Sequence, residues 1–365
     1  MDLKAHLTRL CQAHGPSGYE GPVRDIVREE WAALTDELTV DPLGSLVGLK
    51  RGSGDEPRRR IMLAAHMDEI GMLVSEIDGA FIRVRNIRGL DARVMVAQPV
   101  LVHGKEPLPG MVASTPPHLL PADKRDSYLS VEDLIIDVGL SAEVVADLVS
   151  VGDPVTVDVP LLELHNGRVA GKAMDDRACV AAVTACLHEL QKRQHVWDVA
   201  AVATVQEEVG LRGATTAAHF VDPDAAIALD VTFGKQPGVG DAENAVAIGS
   251  GPALGLGANF HPKLYDSITA AAKRLEMSIN IDPMPGRSGT DAWAIQVARS
   301  GIPTALLSVP IRNMHSPIEL ADLDDIRRAG RLLAEFIAGL DADFLSTIAW
   351  DDPLAEKDAE GDAKA

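Results

Sequence analysis

Val199–Gly210 reads VAAVATVQEEVG, a run of small and β-branched apolar residues that ends on two adjacent carboxylates, Glu207 and Glu208. An apolar run of this kind predicts a strand, and without polar alternation that strand is buried on both faces. Like charges at neighbouring positions repel, more strongly where burial lowers the effective dielectric. A solvated surface pair is one explanation of Glu207 and Glu208. A ligand pair at the edge of a sheet is the other.

Two more apolar runs end in the same manner: RIMLAAH stops at His66, and AAIALD at Asp230. In an open α/β sheet the carboxyl ends of parallel strands meet in a crevice where ligands bind. GKAMDDRACV places Asp175 and Asp176 just before a helix, and NMHSPIE places His315 in a loop after the strand TALLSVP. Singly, each has a plainer explanation: a helix cap with a first-turn charge for the aspartates, an inert loop residue for His315. Together, Asp175, Glu208, Asp230 and Glu207 would gather about four negative charges in one pocket, which only highly charged cations make tolerable. Imidazole and carboxylate donors without thiolate suit zinc, cobalt or manganese, and two divalent ions balance such a set. A dinuclear centre is therefore expected.

Around these motifs the chain changes texture. MDLKAHLTRLCQAHG is a short amphipathic helix with Leu3, Leu7 and Leu10 on one face, and Val23, Ile26, Val27 and Leu34 mark a second helix. LTVDPLGSLVGLK reads as a hairpin turning at DPLG. From Gly71 to Leu164 come short β-type runs punctuated by Gly, Pro and Asp, among them AFIRVRNI, RVMVAQPVLVHG and DLIIDVG; only SAEVVADLV looks helical. After that the α/β rhythm returns, with helices over 176–193, KLYDSITAAAKRL and TDAWAIQVARSG. Strands alternating with helices predict a mainly parallel sheet covered on both faces. The expected organisation is an α/β domain built from 1–70 and 165–350, a β-rich insertion over 71–164, and a disordered acidic tail over 351–365.

Composition narrows the function. The chain has 365 residues and a formal charge of −20, which argues against a nucleic-acid partner. No apolar run approaches the roughly 20 residues of a membrane span. Cys11, Cys179 and Cys186 make no disulfide framework, and the N-terminus has no signal-peptide centre, so a cytoplasmic location is expected.

HMDEIG, AMDDR, QEEVGLRGA, LDVT, GRSGTDA and NMHSPIE, in this order, resemble the M42 family of metallo-aminopeptidases, the tetrahedral or glutamyl-aminopeptidase-like enzymes. The similarity extends to HGPSGYE near the start and to PPHLL and IIDVGL in the insertion, and covers nearly all of the chain except the tail. It implies a zinc-peptidase-like α/β/α sandwich interrupted by a PDZ-like or barrel-like dimerisation domain. It implies hollow homododecamers built from dimers. Carried over motif by motif, Asp175 bridges the metals, His66 and Asp230 complete one site, and Glu208 and His315 the other. Glu207 is then the general base, and Asp68 orients the His66 imidazole. Many members carry Asn where this chain has Asp176. The reaction implied is hydrolysis of the first peptide bond of peptide substrates by a metal-activated water.

PGRSGTDA, Pro285 to Ala292, is either a tight turn capping a helix or a substrate-side wall in which Arg287 meets the substrate. His118 in PPHLL is a turn histidine or an insertion-loop residue that reaches a neighbouring subunit's site. Three rivals remain: a metal-dependent amidase or deacylase, a metal-free glycosidase with two carboxylates flanking a sugar bond, and a self-assembling scaffold with a relict site. Hydrolysis of free-amine but not N-blocked peptides, and inhibition by a chelator, separate the first two. The scaffold fits poorly, since no ligand and no base is missing from the sequence.

Overall fold

The strand Arg60–His66 is buried from Ile61 onward, and its residues divide by parity. Ile61, Leu63 and Ala65 enter one apolar cluster, whereas Met62 and Ala64 enter another. Side chains alternate across a strand, so such a segment needs cover on both faces. The computed structural model, which describes residues 1–120, 128–239 and 245–350, supplies it. An eight-stranded sheet runs in the order Glu37–Val40, Leu46–Lys50, Asp198–Thr204, Arg60–His66, Ala225–Phe233, Thr304–Ile311, Ala253–Leu256, Asn280–Pro283.

The strands beginning at Asp198, Arg60, Ala225 and Thr304 are mutually parallel. The predicted hairpin forms one antiparallel edge, its turn held by the Asp41 carboxylate, which accepts the amides of Leu43, Gly44 and Ser45. One face is covered by Leu3–Gln12, Met174–Leu190 and Leu323–Ala338, the other by Arg212–Val221 and Asp291–Ile295. The result is the expected α/β/α sandwich. Helix Met174–Leu190 lies between the sheet and Leu323–Ala338, which explains why it is buried nearly all round. Gly330 permits that crossing: a Cβ there would lie 2.6 Å from the Ala182 carbonyl oxygen.

Between these elements six antiparallel strands close a separate barrel, in the order Gly71–Asp78, Phe81–Arg88, Leu134–Asp137, Pro107–Ser114, Pro99–His103, Pro154–Val157. It has its own core, including Met72, Ile82, Val100, Ile136 and Val155.

Three details differ from the sequence reading. RVMVAQPVLVHG is not one strand: Asp91 caps a helical turn Ala92–Met95 through the Arg93 amide, and Ala97 turns with φ 67°, so the strand starts at Pro99. TDAWAIQVARSG is helical only over Asp291–Ile295, because the chain turns out through left-handed Arg299 and Gly301. The third is an unanticipated small sheet of Leu162–Glu163, Arg168–Gly171 and Glu319–Asp322, which pairs Gly171 with Glu319. The acidic tail over 351–365 lies outside the described residues. Among the described residues no helix is long and apolar enough to cross a membrane.

Candidate active site

His66 is the last residue of its strand, and Asp230 lies near the end of the adjacent parallel strand Ala225–Phe233. The strand Asp198–Thr204 stops short of the Glu pair, which sits in the turn that follows, entered through Gln206 at φ 55°. Asp175 opens the helix Met174–Leu190 before its residues adopt helical dihedrals. His315 sits in the loop after Thr304–Ile311 with φ 60°, a conformation unfavourable for a non-glycine residue and enriched at functional sites.

These side chains converge. His66 Nε2 lies 3.1 Å from Asp175 Oδ1, and His315 Nε2 lies 3.2 Å from Asp175 Oδ2 and 3.4 Å from Glu208 Oε1. His66, Asp175 and Asp230 have ligand atoms within 4.8 Å of one another, as do Asp175, Glu208 and His315. Asp175 belongs to both clusters, and all of these residues except half-exposed His315 are buried. Glu207 Oε2 stands 4.0 Å from His66 Nε2. The structure thus brings together all five candidate ligands and the candidate base.

Behind them lie the groups that fix their positions. Asp68, fully buried, accepts the Ser17 hydroxyl at 2.6 Å and the amides of Glu207 and Glu208 at 3.0 and 3.2 Å. Its Oδ1 is 3.4 Å from His66 Nδ1, and its carbonyl oxygen 3.1 Å, which leaves His66 Nε2 facing Asp175. Glu319 accepts the Asp175 amide on one oxygen at 3.0 Å and the His315 amide on the other at 2.8 Å. A buried trio holds the HGPSG turn in place. Lys172 and Arg177 both donate to Glu69, which also accepts the Gly15 amide, and Arg177 donates to the carbonyls of Leu10, Ala13 and Met67.

The protein's own charges balance this site incompletely. Burial pushes the Asp175 carboxyl up, but hydrogen bonds from His315 and His66 outweigh it and hold the group ionised. His315 is raised to about 11 by its bonds to Asp175 and Glu208. Burial, with help from neighbouring carboxylates, drives Asp230 and Asp176 well above the usual range and Glu207 to about 10. Among the described residues, the buried Asp176 Oδ1 has no hydrogen-bond partner. Carboxylates crowded in this way beside two imidazoles form a donor set that divalent cations neutralise. The site opens into a cleft of about 730 Å³ whose further walls include Arg88, Leu211, Thr232, Asp282, Met284 and Arg287.

Residues 44–332 match the family model described as M42 glutamyl aminopeptidase. The lysyl aminopeptidase of Pyrococcus furiosus is 36% identical over 327 residues, 88% of this chain and 92% of that protein. A solved TET aminopeptidase from Thaumarchaeota archaeon SCGC AB-539-E09 superposes with a TM-score of 0.89 at 34% identity, covering 95% of this chain and 99% of the other. The TET1 peptidase of Pyrococcus horikoshii, which can assemble into a tetrahedron or a large octahedral shell, gives a TM-score of 0.81 at 30% identity, covering 93% and 100%. The chain belongs to the M42 aminopeptidase family.

Membership of M42 makes it a peptidase hydrolase in a metal-dependent family. Several parts of this M42 site were not read from the sequence. In the sequence Ser17 stands out only as part of HGPSGYE, and Glu69, Lys172, Arg177 and Glu319 carry no assigned role. Their one sequence signal is a charge inside an apolar or glycine-rich context, which needs a buried partner to be tolerated. Arg287 lines the cleft, exposed, with its guanidinium 5.7 Å from the centre of the Trp293 ring. His118 lies exposed in a 3₁₀ turn, Pro117–Leu119, and does not line the cleft of its own chain.

Proposed function

We propose that this chain removes the N-terminal residue of short peptides with two divalent metal ions. His66, Asp175 and Asp230 would hold one ion, and Asp175, Glu208 and His315 the other. The pair of three-donor clusters sharing Asp175, with Glu207 alongside, carries this proposal. Zinc or cobalt suits the donors best, and manganese is compatible with them. When bound, such ions polarise a carbonyl and acidify a water.

The chain's own residues do the rest. Glu207 takes the proton of the attacking water and returns it to the leaving amine. Burial holds its carboxyl high, and cations held by the neighbouring ligands would favour the ionised form a base requires. Asp68 fixes both catalytic neighbours, since it accepts the Glu207 amide and lies against the His66 ring. With the substrate's free α-amino group held at the ligand cluster, attack is limited to the first peptide bond.

Assembly is part of the same proposal. Residues 1–70 and 165–350 form the catalytic unit, and 71–164 serve dimerisation on the way to a homododecamer, by likeness to a solved dodecameric TET1 structure and to the Pyrococcus horikoshii TET1 peptidase, which can assemble into a tetrahedron. In support, Phe81 and Met111 stay exposed on the barrel, both paired in register with Asp137.

Metal analysis and hydrolysis of amino-acid anilides test the site together. Glu207→Gln should retain the metal content and lose activity by about 10²–10⁴-fold, whereas Asp175→Ala should lose both ions. Near-normal turnover by Glu207→Gln would overturn the base assignment, and a metal-replete preparation without bound transition metal would overturn the centre. Equal hydrolysis of N-acetylated peptides would favour the amidase alternative instead.

A further inference from the structure

Once the ligand carboxylates are assigned to cations, one acid in the cleft wall is unaccounted for. Asp282 lies on the edge strand Asn280–Pro283, is only 5% exposed, and lines the cleft. Its Oδ2 accepts the Thr232 hydroxyl at 2.7 Å. Among the described residues its other oxygen takes no hydrogen bond, and no cation contributes to its electrostatics; only burial and Thr232 act on it. A buried carboxylate with one hydroxyl for company is poorly compensated by the protein itself.

Its position relative to the ligands follows from strand geometry. Thr232 is two residues beyond Asp230 on the same strand, so the two side chains share a face roughly 6.6 Å apart. Asp282 is one hydrogen bond further out. Met284 and Leu211 line the same cleft with apolar surface. A substrate held by its α-amino group at the Asp230 side would direct its first side chain along this wall.

We propose that Asp282 reads the first side chain of the substrate, and that this chain selects peptides beginning with lysine or arginine. This rests on the aminopeptidase reading of the cleft. A four-carbon lysine stem lies on apolar wall while its ammonium meets the carboxylate in a charge-assisted hydrogen bond. An apolar first residue leaves the carboxylate dehydrated and unpaired, and an acidic one sets like charges together. Arg88 and Arg287 also line the cleft, but both are exposed, and Arg287 is drawn over Trp293. Water and salt screen them, whereas Asp282 acts from a buried position.

The test compares kcat/KM on lysyl-, arginyl-, leucyl- and glutamyl-p-nitroanilide for the metal-loaded full chain and two variants. The native chain should favour the lysyl and arginyl substrates by about 10–100-fold over leucyl. Asp282→Asn should erase that preference, lowering lysyl and arginyl kcat/KM far more than leucyl, and Asp282→Lys should shift it toward glutamyl. Free lysine, leucine and glutamate are added to the same proteins in thermal-shift measurements, which need no turnover. Lysine alone should raise the melting temperature of the native chain, and not that of Asp282→Asn. Were leucyl or glutamyl anilide the better substrate, or were Asp282→Asn to keep the lysyl preference, the assignment of Asp282 is wrong. A chain that hydrolyses none of the anilides yet is stabilised selectively by lysine through Asp282 would keep the assignment of Asp282 to a basic side chain and overturn the proposed metal-dependent cleavage at this centre.

Discussion

Glu319 illustrates how much of the site depends on single atoms. Its two oxygens serve two amides from distant segments, that of Asp175 and that of His315, and the side chain is 2% exposed. Burial, reinforced by the Asp175 charge, raises its carboxyl to about 8. A glutamine of the same shape offers one acceptor, so its NH₂ group would have to face a backbone N–H. Glu319→Gln should therefore weaken metal affinity by about 10–100-fold with little change in fold. Competition with a chelator of known affinity, alongside circular dichroism, measures both. Unchanged affinity would show that the clamp does not position the two ligands. Asp68 does the same for Glu207 and Glu208, so two adjacent acids are held by a third.

At the scale of elements, the N-terminal helix Leu3–Gln12 is docked by apolar contacts and by one buried imidazole. His6 is 4% exposed and shares Thr184 with the Trp31 indole, while Glu30, Arg9 and His188 surround it electrostatically. Burial dominates and lowers its pKa from the ordinary 6.5 to about 4. Between those values the unfolded chain binds a proton that the folded chain does not. Its contribution to stability is therefore complete above pH 6.5 and is lost as pH falls toward 4. Melting curves at pH 7 and pH 5 should show a larger drop for the native chain than for His6→Gln. Identical drops would remove His6 from the acid response. The barrel meets the catalytic body just as closely: a Cβ on Gly89, at φ 81°, would lie 3.0 Å from His315 Nδ1.

For the molecule as a whole, the proposed ligand cluster is an electrostatic liability. Asp175, Asp230, Glu207 and Glu208 are buried together at the end of a sheet that joins both halves of the chain. A ligand that binds only the folded state stabilises it, by about 2.7 kcal/mol at a concentration 100 times its Kd. Exhaustive chelation should abolish hydrolysis and lower the melting temperature by several degrees, and added zinc or cobalt should restore both. If chelated and replete protein melt together, the proposed centre is not part of the folded state's energetics. The formal charge of −20 makes the chain strongly anionic as a whole.

Much of this architecture is local information. The apolar runs at Ile61, Val199 and Ala225 belong to strands buried on both faces, and alternation with helices makes their shared direction parallel. Parallel strands deliver their carboxyl ends to one edge, so His66, Asp230 and the Glu pair were legible as a group from residue order alone. The change of texture after Gly71 likewise marks where the barrel begins, because period-two patterning with turn residues is itself a sequence property. What the chain order could not express is how segments cross. Glu319 reaches Asp175 across 144 residues through a small sheet with weak strand signals, and Ser17 meets Asp68 only once the N-terminal turn is clamped by Glu69, Lys172 and Arg177. Asp282 depends on the placement of an edge strand. Burial turns these ordinary charges into partners, and burial is decided by tertiary packing, not by periodicity.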